Sequence, residues 1–183
     1  MSKIVSKEFF SENVVKLEVE APLIARSRKA GHFVIVRVDA NGERIPLTIA
    51  DSDTEKGTIT LVIQKIGASS TKITNLNVGD ELLDVVGPLG KATHIDKFGT
   101  VVCSGGGVGV APLLPIIKAM KAAGNKVISV LAARTKDLVI LEEQVREYSD
   151  EVVIMTDDGS YGKAGRVTDG IEEIAKREKV DLC

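Results

Sequence analysis

Cysteine is nearly absent. Cys103 and Cys183 are the only two, they lie far apart, and they show no metal-ligand spacing, so neither a disulfide framework nor a metal site is predicted. Cys103 reads as a buried strand residue, the usual place of a free cysteine. Histidine is as scarce: His32 and His94 have no second ligand or nucleophile at informative spacing, so they read as structural or surface residues and no catalytic histidine is predicted. Neither sign of charge dominates. A net charge of -2, with acidic and basic residues mixed along the chain, gives no electrostatic reason to expect nucleic acid or an anionic membrane as partner. Any phosphate binding must then fall to local basic groups. No apolar run approaches the roughly 20 residues that span a bilayer, and Met1-Ser2-Lys3-Ile4 leads into polar strand-like sequence rather than a signal-peptide core, so a cytoplasmic protein is expected. Internal repeats and low-complexity tracts are missing too.

What is present is an ordinary globular composition, 44% hydrophobic and 27% charged over 183 residues, enough for one large domain or, as the patterning favours, two small ones. From Lys3 to Val86 the apolar residues form short runs between turn signals: Val14, Leu17 and Val19, then 33–38, 47–50, 58–63 and 82–86. Asn41-Gly42 signals a hairpin, since both residues tolerate positive φ, and Val78-Gly79-Asp80 signals a second turn. Antiparallel strands at this spacing predict a small closed barrel or sandwich, with one short helix around 70–76. After Gly99 the rhythm becomes strand, helix, strand, helix. Strands are predicted at 101–103, 127–131 and 152–155, helices at 112–123, 138–148 and 167–179, and Gly124 closes the first helix. Such alternation makes a parallel sheet with right-handed crossovers. The boundary falls near 91–98, giving domains 1–95 and 96–183. Val180 reads as the start of a fourth strand that stops at Cys183, so the chain is expected to be a fragment of something longer.

Two segments carry the chemistry. In Arg44-Ile45-Pro46-Leu47-Thr48-Ile49, strand alternation puts Arg44, Pro46 and Thr48 on one face, where an arginine fork suits a pyrophosphate and the Thr48 hydroxyl suits a ring lying across the strand; a plain surface hairpin is the alternative. Gly67-Ala68-Ser69-Ser70-Thr71 offers backbone amides and hydroxyls for a second phosphate position, or a simple helix cap. Downstream, the bare run Gly105-Gly106-Gly107-Val108-Gly109 follows an apolar strand and precedes a helix opened by Pro112, so a dinucleotide can approach the backbone; a packing turn is the alternative. A G-x-G-x-x-G match fails, because Val110 stands where the third glycine belongs.

Taken in order, Gly31-His32-Phe33-Val34, 44–49, Gly87-Pro88-Leu89-Gly90 and 107–112 resemble the ferredoxin-NADP reductase superfamily, in the branch of dihydroorotate dehydrogenase electron-transfer subunits and the small subunit of NADH-dependent reduced ferredoxin:NADP oxidoreductase. The resemblance implies an antiparallel FAD-binding β-barrel followed by a parallel-sheet α/β domain for NAD(H) or NADP(H). It implies Arg44 at the FAD pyrophosphate, Pro46 and Leu47 among the cofactor-binding residues, Thr48 near flavin N5 as the catalytic residue, and Gly67, Ser69, Ser70 and Thr71 completing the phosphate site. Asp157-Asp158-Gly159-Ser160-Tyr161-Gly162 resembles the family's segment near the nicotinamide pocket, though Asp-Gly also makes a surface turn easily. Arg134 and Lys136 follow the second α/β strand, where the adenosine ribose usually lies, and their cations suit a 2′-phosphate, while the resemblance favours NAD(H). Nicotinamide gives a hydride, iron-sulfur centres take single electrons, and flavin does both. The implied protein is an electron-transfer subunit that hands electrons to a larger flavin or iron-sulfur partner, and to ferredoxin indirectly. Members of the branch usually carry a C-terminal 2Fe-2S cysteine cluster, which is expected only beyond Cys183. A dihydroorotate dehydrogenase electron-transfer subunit, or a non-enzymatic nucleotide-binding module, is the alternative.

Overall fold

Alternation along the early strands builds the first half of the protein. In the computed structural model, which describes residues 1–183, Val15, Leu17 and Val19 of one strand and Ile59, Leu61 and Ile63 of its neighbour all point into one core, each at most 2% exposed. Fully burying one such side chain is worth about 1.5–3 kcal/mol, so the period of two fixes which face turns inward.

The chain divides into the units Met1–Thr93 and His94–Cys183. The first contains β1 (Ser2–Ser11), β2 (Val14–Glu20), α1 (Pro22–Ser27), β3 (Phe33–Arg37), β4 (Ile45–Asp53), β5 (Thr58–Gln64), α2 (Ala68–Asn75), β6 (Glu81–Leu82) and β7 (Asp84–Leu89). Its antiparallel sheet runs β6-β1-β2-β5-β4-β3-β7. Its two edge strands, β6 and β7, follow one another in the chain, and Leu83 donates its N–H to the Val38 carbonyl, so the sheet nearly closes into a barrel. Ile73 of α2 and Ile24 of α1 join the same core. The β3–β4 hairpin forms as expected, but neither Asn41 nor Gly42 takes a positive φ. Residues 38–44 instead fold on themselves. The Asp39 carboxylate accepts the Asn41 N–H at 3.0 Å, and the Arg37 guanidinium donates to the carbonyls of Ala40 and Gly42.

The second unit contains β8 (Thr100–Gly106), α3 (Val110–Ala122), β9 (Lys126–Ala133), α4 (Glu142–Glu147), β10 (Glu151–Thr156), β11 (Lys163–Ala164) and α5 (Val167–Arg177), in a parallel sheet ordered β11-β10-β9-β8. Val127, Ile128, Val130 and Leu131 of β9 are all within 1% of complete burial, as a strand covered on both faces requires. Val102, Ile128, Val130, Val153 and Met155 pack under Ile174 of α5. Gly124, at φ 83°, ends α3, and the buried Asn125 side chain ties the following turn to the carbonyls of Asp96 and Met120 and the N–H groups of Phe98 and Gly99.

Three expectations need correction. The helix predicted at 138–148 shrinks to α4, because Val139 is extended and Leu141 turns left-handed, which buries Ile140 and Leu141 in a bend rather than on a helix face. Val180 starts no strand; only Leu182 bridges in parallel to Val101, and the fourth strand is β11 on the opposite edge. Pro112 is the third residue of α3 rather than its opener, still within the first turn, where a missing N–H has no helical partner to lose.

Candidate functional site

On the outer face of the barrel, β4 separates its side chains. Ile45, Leu47 and Ile49 pack on the core, while Pro46 is exposed on the other face, in cross-strand register with Ile35 of β3, itself opposite Val86 of β7. Val86 is 51% exposed, so an apolar row lies open across three strands. One step along, Phe33 stands opposite both Thr48 and Leu89. Arg44 precedes β4 rather than lying on it, as its predicted place on the strand had it, and its half-exposed guanidinium pairs with Asp84 at 3.0 Å. Leu47 therefore offers the outer face only its backbone.

In 67–71 the hydroxyls divide their work. Ser70 Oγ accepts the N–H groups of Ile66 and Gly67, each at 3.0 Å, and so serves the first turn of α2. Ser69 Oγ donates to Glu43 at 2.6 Å, and the Thr71 N–H makes the first helical bond to Gly67. Asp84 and Glu43 went unpredicted. Asp84 lies forty residues from Arg44, and no local pattern announces that pair.

The glycine run is not one loop. Gly105 and Gly106 finish β8, opposite Leu131 and Ala132, and only Gly107–Gly109 turns, as a single 3₁₀ turn leading into α3. A Cβ at Gly105 would lie 3.2 Å from the Gly109 carbonyl, so packing explains that residue; Gly107 has φ 53°, so conformation explains it. At Gly106 a Cβ would make only an ordinary 3.5 Å contact, with the Ala132 carbonyl, and Val108 is half-buried. Gly109 has neither reason. Its φ of -63° suits any residue, and no atom lies within 4 Å of where its Cβ would be. Gly106, at φ -125°, lacks both reasons too, but of the seventeen glycines only Gly109 and Gly67, the latter at φ -135°, combine an ordinary φ with empty space. Both bare positions face space that the protein leaves free and open helices, where backbone N–H groups favour anions. That fits dinucleotide phosphates at each.

At the carboxyl end of the parallel sheet, the two remaining segments meet. Asp157 donates its N–H to the Ala133 carbonyl and Asp158 its N–H to the Arg134 carbonyl, at 3.1 and 3.3 Å. Ser160 accepts the Lys136 N–H at 2.9 Å and donates both its N–H and Oγ–H to Asp158, which holds that carboxyl below the usual range. Gly159 is left-handed at φ 68°. The Arg134 side chain is exposed. Asp157 also lines an open cavity of about 550 Å³ with Arg166 and Thr168, two residues that no sequence pattern singled out.

Cys103 is buried in β8, as expected, and burial pushes its thiol up to about 11. The His32 ring accepts the Lys29 N–H at 3.1 Å through Nδ1, and His94 is exposed against the Phe98 ring. No three His, Cys, Asp or Glu side chains come together as a metal site, and no helix is long and apolar enough to cross a membrane.

Residues 1–94 match the oxidoreductase FAD-binding domain family. The whole chain is 42% identical to the dihydroorotate dehydrogenase B (NAD(+)) electron transfer subunit homolog of Thermotoga maritima, of which it spans 64%. Over 93% of its length it is 35% identical to the dihydroorotate dehydrogenase B (NAD(+)) electron transfer subunit of Geobacillus thermodenitrificans, covering 68% of that protein. A solved structure of the NADH-dependent reduced ferredoxin-NADP oxidoreductase, studied for flavin-based electron bifurcation, superposes on the entire chain with a TM-score of 0.95 at 38% identity, and the match covers 66% of that structure's chain. With an antiparallel, nearly closed barrel followed by a parallel α/β sheet, the chain belongs to the oxidoreductase FAD-binding domain family, in the group that holds the ferredoxin-NADP oxidoreductase small subunit and the dihydroorotate dehydrogenase B electron transfer subunits.

Proposed function

We propose that this chain is the flavin- and nicotinamide-binding part of an electron-transfer subunit, with residues 1–95 holding FAD and 96–183 holding NAD(H) or NADP(H). One observation carries the reading: Gly67 and Gly109, the two glycines that combine an ordinary φ with open space, fall one on each segment read as a phosphate site. When bound, FAD supplies the change from two-electron to one-electron chemistry. Arg44 exchanges Asp84 for the pyrophosphate, Ser69 Oγ and the amides of Ala68, Ser69 and Ser70 at the start of α2 take the second phosphate position, and the apolar row Pro46, Ile35 and Val86 supports the rest of the cofactor. Thr48 sits beside the reacting ring and hydrogen-bonds it. The turn 105–109 receives the nicotinamide dinucleotide, with its adenosine ribose by Arg134 and its nicotinamide near 157–159. In a protein of the relatives' length, a 2Fe-2S centre outside these residues would carry single electrons on to a larger flavin or iron-sulfur subunit, and so to ferredoxin.

The Geobacillus relative supports a second reading, an electron-transfer subunit for a dihydroorotate dehydrogenase. This chain's chemistry is the same in both, and only the partner differs. Anaerobic titration of FAD-loaded protein with NADH tests what they share: the flavin absorbance bleaches if the reading is right, and protein that binds no FAD, or keeps its flavin oxidised under both NADH and NADPH, refutes it.

A further inference from the structure

Leu141 is the one residue other than glycine with a positive φ, 59° with ψ 19°. A leucine in that conformation costs about 1–2 kcal/mol, and it is buried, so the strain is held by its surroundings. Its turn starts α4 and makes Glu142 the first helical residue. Glu142 Oε1 then accepts the Tyr161 hydroxyl at 2.9 Å, along with Arg146 Nε at 2.8 Å. Tyr161 ends the segment after β10. Its N–H and carbonyl both bond the buried Thr156 hydroxyl, and Lys136 Nζ lies 5.5 Å from the centre of its ring. The next residue, Gly162, is fixed as well, since a Cβ there would strike the Ile154 carbonyl.

Resting on the nicotinamide-site reading above, we propose that Glu142 is a positioning residue for the nicotinamide nucleotide. By holding Tyr161 it braces 157–162 against 134–138, so that the groups at the ends of β9 and β10 keep one geometry before the nucleotide arrives. The strained turn at Leu141 aims that carboxylate. Nothing in the stability of the helix alone calls for it: α4 is only six residues long, and Glu142 already has Arg146 one turn on. The tyrosine bond is what links α4 to the far loop. Preorganisation of this kind spares the nucleotide the cost of ordering its site on binding.

The test follows flavin reduction in FAD-loaded protein at a series of NADH concentrations, which separates nucleotide affinity from the limiting rate. Glu142→Ala should weaken NADH binding about tenfold, the scale of one lost hydrogen bond to a charged group, with FAD content and limiting rate unchanged. Tyr161→Phe, which removes one oxygen and leaves the packing, should give the same shift, and the double variant no more than either single one. Glu142→Gln keeps an acceptor and should recover most of the affinity. If Glu142→Ala fails to fold, Tyr161→Phe decides alone. Unchanged NADH affinity in Tyr161→Phe, or fully additive losses in the double variant, overturns the proposal while the nicotinamide reading stands. A wild-type flavin that no nicotinamide reduces removes both.

Discussion

Replacing Gly109 with alanine separates a glycine kept for the fold from one kept for a ligand. Its φ and ψ of -63° and -12° are already right-handed helical, it closes the 3₁₀ turn before α3, and no atom lies within 4 Å of the new methyl. The folded state loses nothing, and the unfolded state loses freedom, so the variant should be more stable by about 0.4–1 kcal/mol, which raises the unfolding midpoint by a few degrees. If the turn lies against a dinucleotide, the same methyl enters space that the ligand occupies. Losing one close backbone contact of about 1.4 kcal/mol is a tenfold weaker binding. Two neighbouring glycines should do the opposite: alanine at Gly107 meets φ 53°, and at Gly105 it meets the Gly109 carbonyl at 3.2 Å, so both should lower stability whatever binds. The assay pairs thermal unfolding with anaerobic flavin reduction across NADH concentrations. A stabilised Gly109→Ala protein with unaltered NADH affinity would show that the turn is bare for no reason connected with the nucleotide.

Arg44→Ala should weaken FAD binding, by somewhat less than the roughly 1.5–3 kcal/mol of a buried hydrogen bond to a charged group, because the guanidinium is 58% exposed and screened by solvent. Its melting temperature should hardly move, and unchanged FAD affinity by equilibrium dialysis would remove Arg44 from the site. NADH should reduce the flavin faster than NADPH at equal concentration, since Lys136, the second cation beside Arg134, lies over the Tyr161 ring instead of facing a 2′-phosphate; a strong NADPH preference reverses this and gives Arg134 a 2′-phosphate. A thiol reagent near pH 8 should label Cys183 and spare Cys103 until the protein is unfolded. The Cys103 thiol is raised from 9.0 to about 11, so the folded state holds its proton more tightly: its contribution to stability is complete below pH 9 and is lost as pH rises toward about 11, and two native-state thiols reacting at pH 8 would contradict that burial.

The barrel strands were legible because one face of each is wet and the other dry, so period two survives in the sequence. Val14, Leu17 and Val19, which mark β2 in the sequence, are all buried, and Val15, unmarked there, completes the alternation with Leu17 and Val19. The α/β strands were legible as short runs of valine and isoleucine. The helix at 138–148 misled for a physical reason: Ile140, Leu141 and Val145 have helical spacing, yet the first two bury themselves through a left-handed turn that no propensity favours. The short strand β11 has only Lys163 and Ala164, both exposed, and it pairs only through backbone groups, so no side-chain pattern marks it.

Glycine shows the same limit at the site. The sequence marks 105–109 as a bare run and 67 as a lone glycine, but bareness has three causes, and composition does not separate them. Gly105 is bare because its own chain crowds it, Gly107 because the chain turns left-handed, and Gly109 and Gly67 for neither reason. Hydroxyls divide likewise, with Ser70 spent on its own helix turn while Ser69 reaches across to Glu43. Gly67 and Gly109 fall on the two segments read as phosphate sites, beside Ser70, Gly105 and Gly107, which the fold itself uses. A motif therefore locates the site, while subtracting the residues that the fold itself consumes identifies those left for the cofactor. Substitution at the remainder should cost binding without costing stability, and at the consumed residues the reverse.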